Sequence, residues 1–276
     1  MTRGAGIPGF LQSAFRRQLP RAVHRVETPE LRIEVREVDN YRWLLFGDGV
    51  VQSAMALDEP ARLVLPYTFS LLAPLLFRPE PGQTGVMGVG AGSLIRFFDA
   101  MLPSCTVRAC DASEPVVDVA RQFFGLPPAG SRFELQVLDA RTAIAGWREL
   151  DLLFVDIFDE AGMPGWVGSE PFLCQCRQAL GTGGVVAINL MPESDSALAE
   201  FLATLRHAFS GRVLLGTLPQ YRNVIALAFE SAPGELSVRN LGIRAKRLDK
   251  RFRVPFSRVF QNLCRVNRCH RGQLII

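Results

Sequence analysis

Residues 85–94 read Gly-Val-Met-Gly-Val-Gly-Ala-Gly-Ser-Leu, and this stretch decides the fold of the chain. Small apolar residues lead into three glycines at alternate positions, Gly88, Gly90 and Gly92. Apolar side chains then recur at helical spacing, at Leu94, Phe97, Phe98 and Met101. The pattern predicts a buried strand, a tight turn and a helix. Because glycine accepts positive φ and lets a ligand approach the backbone, such a turn serves either packing or nucleotide binding.

Strands and helices alternate along the chain after this turn. Predicted strands cover residues 106–110, 133–138, 152–155 and 185–190, and predicted helices lie between them. This alternation predicts an α/β fold with a doubly wound, mostly parallel sheet. Before the turn, residues 31–38 alternate apolar and charged side chains, and Gly47-Asp48-Gly49 is typical of a hairpin. We therefore expect a small antiparallel β unit at the N-terminal side.

Three carboxylates, Asp111, Asp139 and Asp156, each follow a predicted strand directly. In an open α/β sheet the ligand lies outside the carboxyl ends of the strands. Asp111 comes 23 residues after Gly88, close to the roughly 20-residue interval at which an acid reaches a ribose hydroxyl. A single polar residue at a strand end is commonly a helix cap. A glycine turn and three acids in succession favour a nucleoside pocket.

The composition predicts a globular cytoplasmic protein. Hydrophobic residues make up 48% of the chain, yet no apolar run approaches the roughly 18 residues of a membrane span, because Pro66 and Pro74 interrupt the most hydrophobic stretch. The cysteines, at positions 105, 110, 174, 176, 264 and 269, show neither a disulfide framework nor a paired metal-binding motif. We expect reduced thiols and no metal.

The positive charge is concentrated in the tail. The net charge is +4, and residues 231–276 carry eleven Lys or Arg against two acids. Such a tail contacts nucleic acid or packs as an Arg-rich helix; interleaved apolar residues, among them Leu241 and Phe252, favour packing. We divide the chain into a basic leader over 1–29, expected to be disordered or loosely docked, a β-hairpin domain over 30–65, a nucleoside-binding domain over 66–230 and the tail.

The motifs, taken in order, resemble the spermidine synthase (polyamine aminopropyltransferase) family, a branch of the class I AdoMet-binding transferases with a Rossmann-like, methyltransferase-type sheet. The likeness covers about residues 30–230. The hairpin over 47–52, the glycine turn, Asp111 and the pair Asp139-Ala140 match family motifs in position. Residues 156–159, Asp-Ile-Phe-Asp, resemble the family's Asp-x-x-Asp signature.

The resemblance implies aminopropyl transfer to a diamine in polyamine biosynthesis, by a homo-oligomer. The residues expected to bind the co-substrate, decarboxylated S-adenosylmethionine or AdoMet itself, are Gln52, Gly88, Gly90, Ala91, Gly92, Asp111, Asp139 and Ala140. Asp156 is expected to take a proton from the acceptor amine, because an ammonium becomes a nucleophile only after losing one. Asp159 is expected to bind the acceptor, and Trp166, in the loop that follows, is a further candidate contact.

Three positions depart from the family pattern. Ala91 replaces the Asp expected to hold the amine end of decarboxylated AdoMet, Arg62-Leu63-Val64 replaces Tyr-His-Glu, and residues 160–166 lack an Asp-Pro pair. Loss of the acid removes a repulsion toward the carboxylate of AdoMet. An inward-facing Arg62 would pair with that carboxylate, but a solvated side chain is favoured for a lone arginine on this segment. The alternatives are therefore an AdoMet-dependent methyltransferase, a non-catalytic nucleoside-binding relative and a nucleic-acid binder acting through the tail.

Overall fold

The computed structural model describes residues 21–29, 31–47, 49–159, 162–218 and 221–276. Its first four strands form an antiparallel sheet in chain order: β1 (Arg21–Glu27), β2 (Arg32–Val38), β3 (Tyr41–Phe46) and β4 (Val50–Ala56). The predicted antiparallel unit is thus present. The expectation of a loosely docked leader is wrong for residues 21–27, because their backbone pairs with β2 as an edge strand. Residues 1–20, and Asp48 of the predicted turn, lie outside the described residues.

The second sheet contains, within the described residues, seven strands in the order β10-β11-β9-β8-β5-β6-β7. They are β5 (Gln83–Met87), β6 (Thr106–Asp111), β7 (Phe133–Val137), β8 (Leu150–Val155), β9 (Leu180–Leu190), β10 (Val213–Thr217) and β11 (Val224–Phe229). Strands β5 to β9 pair in parallel, and β11 runs antiparallel to both of its neighbours. The predicted mostly parallel α/β sheet is confirmed. β9 starts at Leu180, earlier than the predicted start at residue 185. Leu180 pairs with Leu150 and Val185 pairs with Leu152, and this irregular register accommodates the glycines between Leu180 and Val185.

Helices cover the sheet, and several of them begin at a capping side chain or with a proline in the first turn. They are α1 (Pro66–Leu71), α2 (Ser93–Met101), α3 (Glu114–Phe123), α4 (Ala140–Ala143), α5 (Glu170–Ala179), α6 (Asp195–Ala208), α7 (Val238–Phe252) and α8 (Phe256–Val266). The hydroxyls of Ser113 and Ser194 accept backbone N–H groups at the starts of α3 and α6. No helix in the described ranges has the length and apolar character needed to cross a membrane.

The basic tail packs onto the body of the protein. Helices α7 and α8 bury apolar side chains that include Leu241, Phe252 and Phe256. The guanidinium of Arg244 donates a 2.6 Å hydrogen bond to the carbonyl of Leu76, just before the main sheet begins. A short hairpin, β12 (Cys269–His270) and β13 (Gln273–Leu274), follows. The helical, packed interpretation of the tail is therefore confirmed for these two helices.

Arg96, on α2, joins three segments around the glycine turn. Its side chain is buried and donates hydrogen bonds to the carbonyl oxygens of Pro60, at 2.8 Å, and Phe124, at 2.8 Å, and also to that of Ala91. Burial lowers the pKa of this guanidinium to about 10, so it stays protonated at neutral pH. One side chain thus ties the segment before α1 to the glycine turn and to the end of α3.

We expect Arg96→Met to destabilise the protein by about 3 kcal/mol or more, because it leaves buried carbonyl groups without a donor. Urea unfolding followed by circular dichroism measures this free energy. Arg132→Met is the matched control, since Arg132 makes an exposed ion pair with Asp99 and such pairs contribute less than about 1 kcal/mol. Equal losses of stability in the two variants would contradict the role given to Arg96.

Candidate active site

The glycine turn is shaped by contacts that a side chain would break. Gly88, Gly90 and Gly92 have φ of +85°, +52° and +72°, in the left-handed region. A Cβ on Gly88 would lie 2.1 Å from the backbone oxygen of Asp156, whereas a Cβ on Gly90 would meet nothing within 4 Å. Gly88 therefore lets two strand ends come together, and Gly90 leaves open space above the turn.

Asp111 is held at the end of β6 by the turn itself. Its Oδ2 accepts the backbone N–H of Val89 at 2.8 Å, and its Oδ1 accepts that of Ser113 at 2.9 Å. Burial raises the pKa of this carboxyl, although the backbone hydrogen bonds oppose the shift. The backbone N–H of Gly90 also hydrogen-bonds to this carboxylate, and the two oxygens together still have room for a further donor. The geometry therefore suits a carboxylate that receives a hydroxyl group of a ribose.

Asp139 caps α4 and connects to the loop after β8. Its Oδ1 accepts the backbone N–H of Arg141 at 2.8 Å, and the Arg141 side chain also donates to both carboxylate oxygens, at 2.9 and 2.8 Å. These hydrogen bonds lower the pKa of Asp139. The same guanidinium lies 4.8 Å from the ring centroid of Trp166, which packs edge-on against Phe172. Arg141 therefore connects Asp139, after β7, with the loop after β8.

Asp156 lies directly after β8, at the centre of a hydrogen-bond network. The hydroxyl of Tyr67 donates to its Oδ2 at 3.2 Å, and the amide of Asn189 donates to its Oδ1 at 2.8 Å. Asn223 in turn donates to Asn189 Oδ1 at 3.0 Å. Burial raises the pKa of Asp156, and burial together with the Asp156 charge raises the pKa of Tyr67 well above its usual range. Tyr67 therefore stays protonated and donates.

The second acid of the signature, Asp159, is exposed and closes the loop that follows. Its Oδ1 accepts the backbone N–H of Gly162 at 2.9 Å, and the backbone N–H of Asp159 itself donates to the Gly162 carbonyl at 2.9 Å. Trp166 stands at the other end of this loop, on a short 3₁₀ turn, Gly165–Gly168. Residues 160 and 161, part of the predicted departure from the family pattern, lie outside the described residues.

A cavity of about 1530 Å³ runs along the carboxyl ends of the strands and brings most of the predicted site residues together. The predicted residues that line it are Gln52, Gly88, Gly90, Asp111, Asp139, Ala140, Asp156, Asp159 and Trp166. The N-terminal sheet contributes Gln52 from β4, and the other residues come from the main sheet and the loops after its strands. These nine predicted residues thus face one continuous space.

Ala91 and Arg62 lie elsewhere. The side chain of Ala91 is fully buried in a core cluster with Val116 and Phe124, away from the cavity lining. The guanidinium of Arg62 pairs with Asp58 at 3.3 Å and Glu59 at 3.6 Å at the surface, as favoured for a lone arginine on this segment, so the condition for its pairing with the carboxylate of AdoMet is not met. Gly92 also lies behind the lining, where a Cβ would be 2.1 Å from the Leu126 side chain. Roles for Ala91 and Gly92 in binding remain predictions.

The cavity is acidic although the chain carries a net charge of +4. Among the described residues, its charged lining comprises Glu27, Asp111, Glu114, Asp139, Asp156, Asp159 and Glu193 against Arg32 and Arg222. A concave surface lined by one sign of charge concentrates ligands of the opposite sign. The site is therefore suited to cationic ligands. In the described ranges, no group of three or more His, Cys, Asp or Glu side chains is arranged to hold a metal ion.

Sequence reasoning missed Tyr67, Asn189 and Asn223. Asn189 had a usable signal, since it is the one polar residue in the apolar run over 185–190, near the carboxyl end of its strand. Tyr67 lies in a segment that reads as an apolar helix, and it meets Asp156 from 89 positions away in the chain. Asn223 precedes β11, a strand that enters the sheet in the opposite direction. For Tyr67 and Asn223 only the tertiary fold reveals the contact.

We expect Gly88→Ala to be far more harmful than Gly90→Ala. Both changes place a side chain at positive φ, at a cost of roughly 1–2 kcal/mol, but only the Gly88 variant forces the Asp156 backbone to move. The Gly90 variant should fold and lose affinity for an adenine nucleoside, because its methyl group enters the cavity. Thermal melting and calorimetry with methylthioadenosine measure the two effects. Equal melting temperatures for the two variants would contradict this geometry.

Comparison with known proteins identifies the family. No protein-family model matches the chain. It is 33% identical over 263 residues to the polyamine aminopropyltransferase of Chromobacterium violaceum, and the alignment covers 95% of this chain and 99% of that protein. A probable spermidine synthase from Corynebacterium glutamicum has the same fold, with a TM-score of 0.71 at 21% identity over 90% of this chain and 96% of that one.

A spermidine synthase solved in complex with the transition state analogue AdoDATO also shares the fold, with a TM-score of 0.69 at 19% identity over 88% of this chain and 85% of that one. These two solved structures establish the shared architecture. The relative from Chromobacterium violaceum, matched along almost its whole length, establishes kinship. The chain therefore belongs to the polyamine aminopropyltransferase, or spermidine synthase, family of enzymes.

Proposed function

We propose that this chain transfers the aminopropyl group of decarboxylated AdoMet to a diamine, with Asp156 as the proton acceptor. The observation that carries the proposal is the environment of Asp156. This carboxylate lines the cavity, and its two side-chain hydrogen bonds come from neutral groups, the Tyr67 hydroxyl and the Asn189 amide. Because burial raises its pKa, the carboxylate keeps a useful affinity for a proton near the acceptor amine.

The charge of the cavity supports the decarboxylated co-substrate over AdoMet. Family membership and the Asp111 and Asp139 geometry support an AdoMet-related nucleoside, which carries a positive sulfonium. Decarboxylated AdoMet adds an ammonium, whereas AdoMet adds both an ammonium and a carboxylate. In a lining where acids outnumber guanidinium groups, the extra carboxylate is disfavoured by repulsion. This preference does not need an acid at position 91.

The chemistry requires little from the protein beyond alignment and proton removal. Asp111 is suited to a ribose hydroxyl and Asp139 with Ala140 to the adenine end. The amine nitrogen then attacks the aminopropyl carbon next to sulfur, so a C–N bond forms while the C–S bond breaks. The electron pair of the C–S bond goes to sulfur, and methylthioadenosine leaves as a neutral thioether. The amine proton passes to Asp156. Correct positioning of nitrogen, carbon and sulfur supplies most of the rate.

Asp156→Asn should reduce kcat by roughly 10²- to 10⁴-fold, the usual contribution of a general base. The substitution preserves the network, because an amide oxygen still accepts from Asn189 and an amide N–H still donates to the Tyr67 oxygen. Calorimetry with methylthioadenosine should therefore show unchanged affinity. Asp159→Asn is the comparison variant, and it should raise KM for the amine more than it lowers kcat. Wild-type turnover in Asp156→Asn would show that another group takes the proton.

Activity should fall on the acidic side at a higher pH than an exposed Asp would give, because burial raises the pKa of Asp156. The Tyr67 hydroxyl lowers that pKa by hydrogen bonding, so Tyr67→Phe should move the acidic limb of kcat/KM to still higher pH.

The matched control is Tyr41→Phe, since the Tyr41 ring lies against Arg62 outside the cavity. Protonation of the amine itself affects wild type and variants equally, so profiles measured on one substrate isolate the enzyme group. If the acidic limb of kcat/KM stays in place in Tyr67→Phe, or moves equally in Tyr41→Phe, the assignment of this limb to the Asp156 carboxyl is contradicted.

A further inference from the structure

Asn223 presents a buried oxygen that has nothing to accept. The residue is 3% exposed and lines the cavity next to the start of β11. Among the residues that the structure describes, its Oδ1 has no hydrogen-bond partner. Leaving a buried carbonyl oxygen unpaired is unfavourable, so its position in the wall of a ligand cavity points to a donor supplied by a ligand.

The hydrogen-bond network around Asp156 determines which side-chain atom of Asn223 has no hydrogen-bond partner. The carboxylate of Asp156 accepts hydrogen bonds only, so Asn189 must turn its NH₂ group toward it. Asn189 Oδ1 then faces Asn223, which must donate its own NH₂ group at 3.0 Å. The remaining Asn223 atom is therefore an oxygen rather than an N–H group, and it calls for an N–H or O–H donor.

The strand order places Asn223 at the acceptor end of the cavity. Gly88, Asp111 and Asp139 follow β5, β6 and β7, on one side of the Asp156 strand, whereas Asn223 adjoins β11, two strands away on the other side. Neighbouring strands are about 4.8 Å apart, so Asn223 is roughly 10 Å from the Asp156 strand. Asn189 stands between the two groups. A nucleoside bound by the glycine turn and Asp111 does not extend to this end.

We propose that Asn223 is a specificity-determining residue whose Oδ1 binds the second nitrogen of a diamine while Asp156 engages the first. The inference rests on the proposed function and adds the part of the site that distinguishes diamines from monoamines. A single nitrogen at Asp156 does not reach Asn223 as well, because the whole Asn189 amide separates the two groups.

The test compares 1,4-diaminobutane with 1-aminobutane, which lacks only the second nitrogen. In wild type the diamine should be the better acceptor. Asn223→Ala and the bulkier Asn223→Leu should lower kcat/KM for the diamine by roughly tenfold or more, which is the usual effect of losing a hydrogen bond to a charged group. The same variants should change kcat/KM for the monoamine much less. Asn189→Ala is the control for the positioning of Asp156. It should lower kcat/KM equally for both substrates and shift the acidic limb of the pH profile.

Binding without turnover gives an independent readout. Calorimetry with 1,4-diaminobutane, in the presence of methylthioadenosine, should show the same roughly tenfold loss in both Asn223 variants, while methylthioadenosine itself binds as in wild type. Equal losses for diamine and monoamine, or unchanged diamine binding, would overturn the inference and leave Asn223 as a structural group satisfied by water. If wild type transfers to neither amine, the proposed function fails, and the calorimetric comparison still decides whether Asn223 binds a diamine.

Discussion

The close approach of Gly88 to Asp156 is the contact on which the rest of the site depends. The backbone N–H of Gly88 donates to Cys110 at 3.0 Å, and that of Asp156 donates to Met87 at 2.9 Å. Three adjacent parallel strands, β6, β5 and β8, thus end in a fixed relation to one another. Because Gly88 has no side chain, the turn that we propose binds the nucleoside and the carboxylate that we propose takes the amine proton become neighbours. In the proposed reaction with a sulfonium donor, this positioning supplies most of the rate.

The acidic cavity and the basic surface of the chain have separate causes. Helices α7 and α8 carry much of the positive charge, and their apolar faces pack onto the body. The carboxylates of the cavity follow from topology, since parallel strands that end side by side bring Asp111, Asp139 and Asp156 to one edge. A net charge therefore predicts little about the ligand here. The local field of a cleft is the quantity that matters.

The sequence was informative wherever one local rule determines position. Strand ends can be read from periodicity, so Asp111, Asp139 and Asp156 were predicted at the sheet edge, and the family resemblance supplied the roles expected of them. Side-chain direction within a turn of positive-φ glycines cannot be read from spacing, and Ala91 accordingly lies in the core. Tyr67 and Asn223 reach the site only through tertiary packing. The oxygen left unpaired on Asn223 follows from the whole network and from no local pattern.

The most direct test of the account is product analysis of a single reaction. The purified chain, incubated with 1,4-diaminobutane and with either decarboxylated AdoMet or AdoMet, is followed by mass spectrometry of both products. The account predicts methylthioadenosine and an aminopropylated diamine in equal amounts, from the decarboxylated co-substrate alone. Formation of S-adenosylhomocysteine and a methylated amine from AdoMet, with no aminopropyl product, would contradict it.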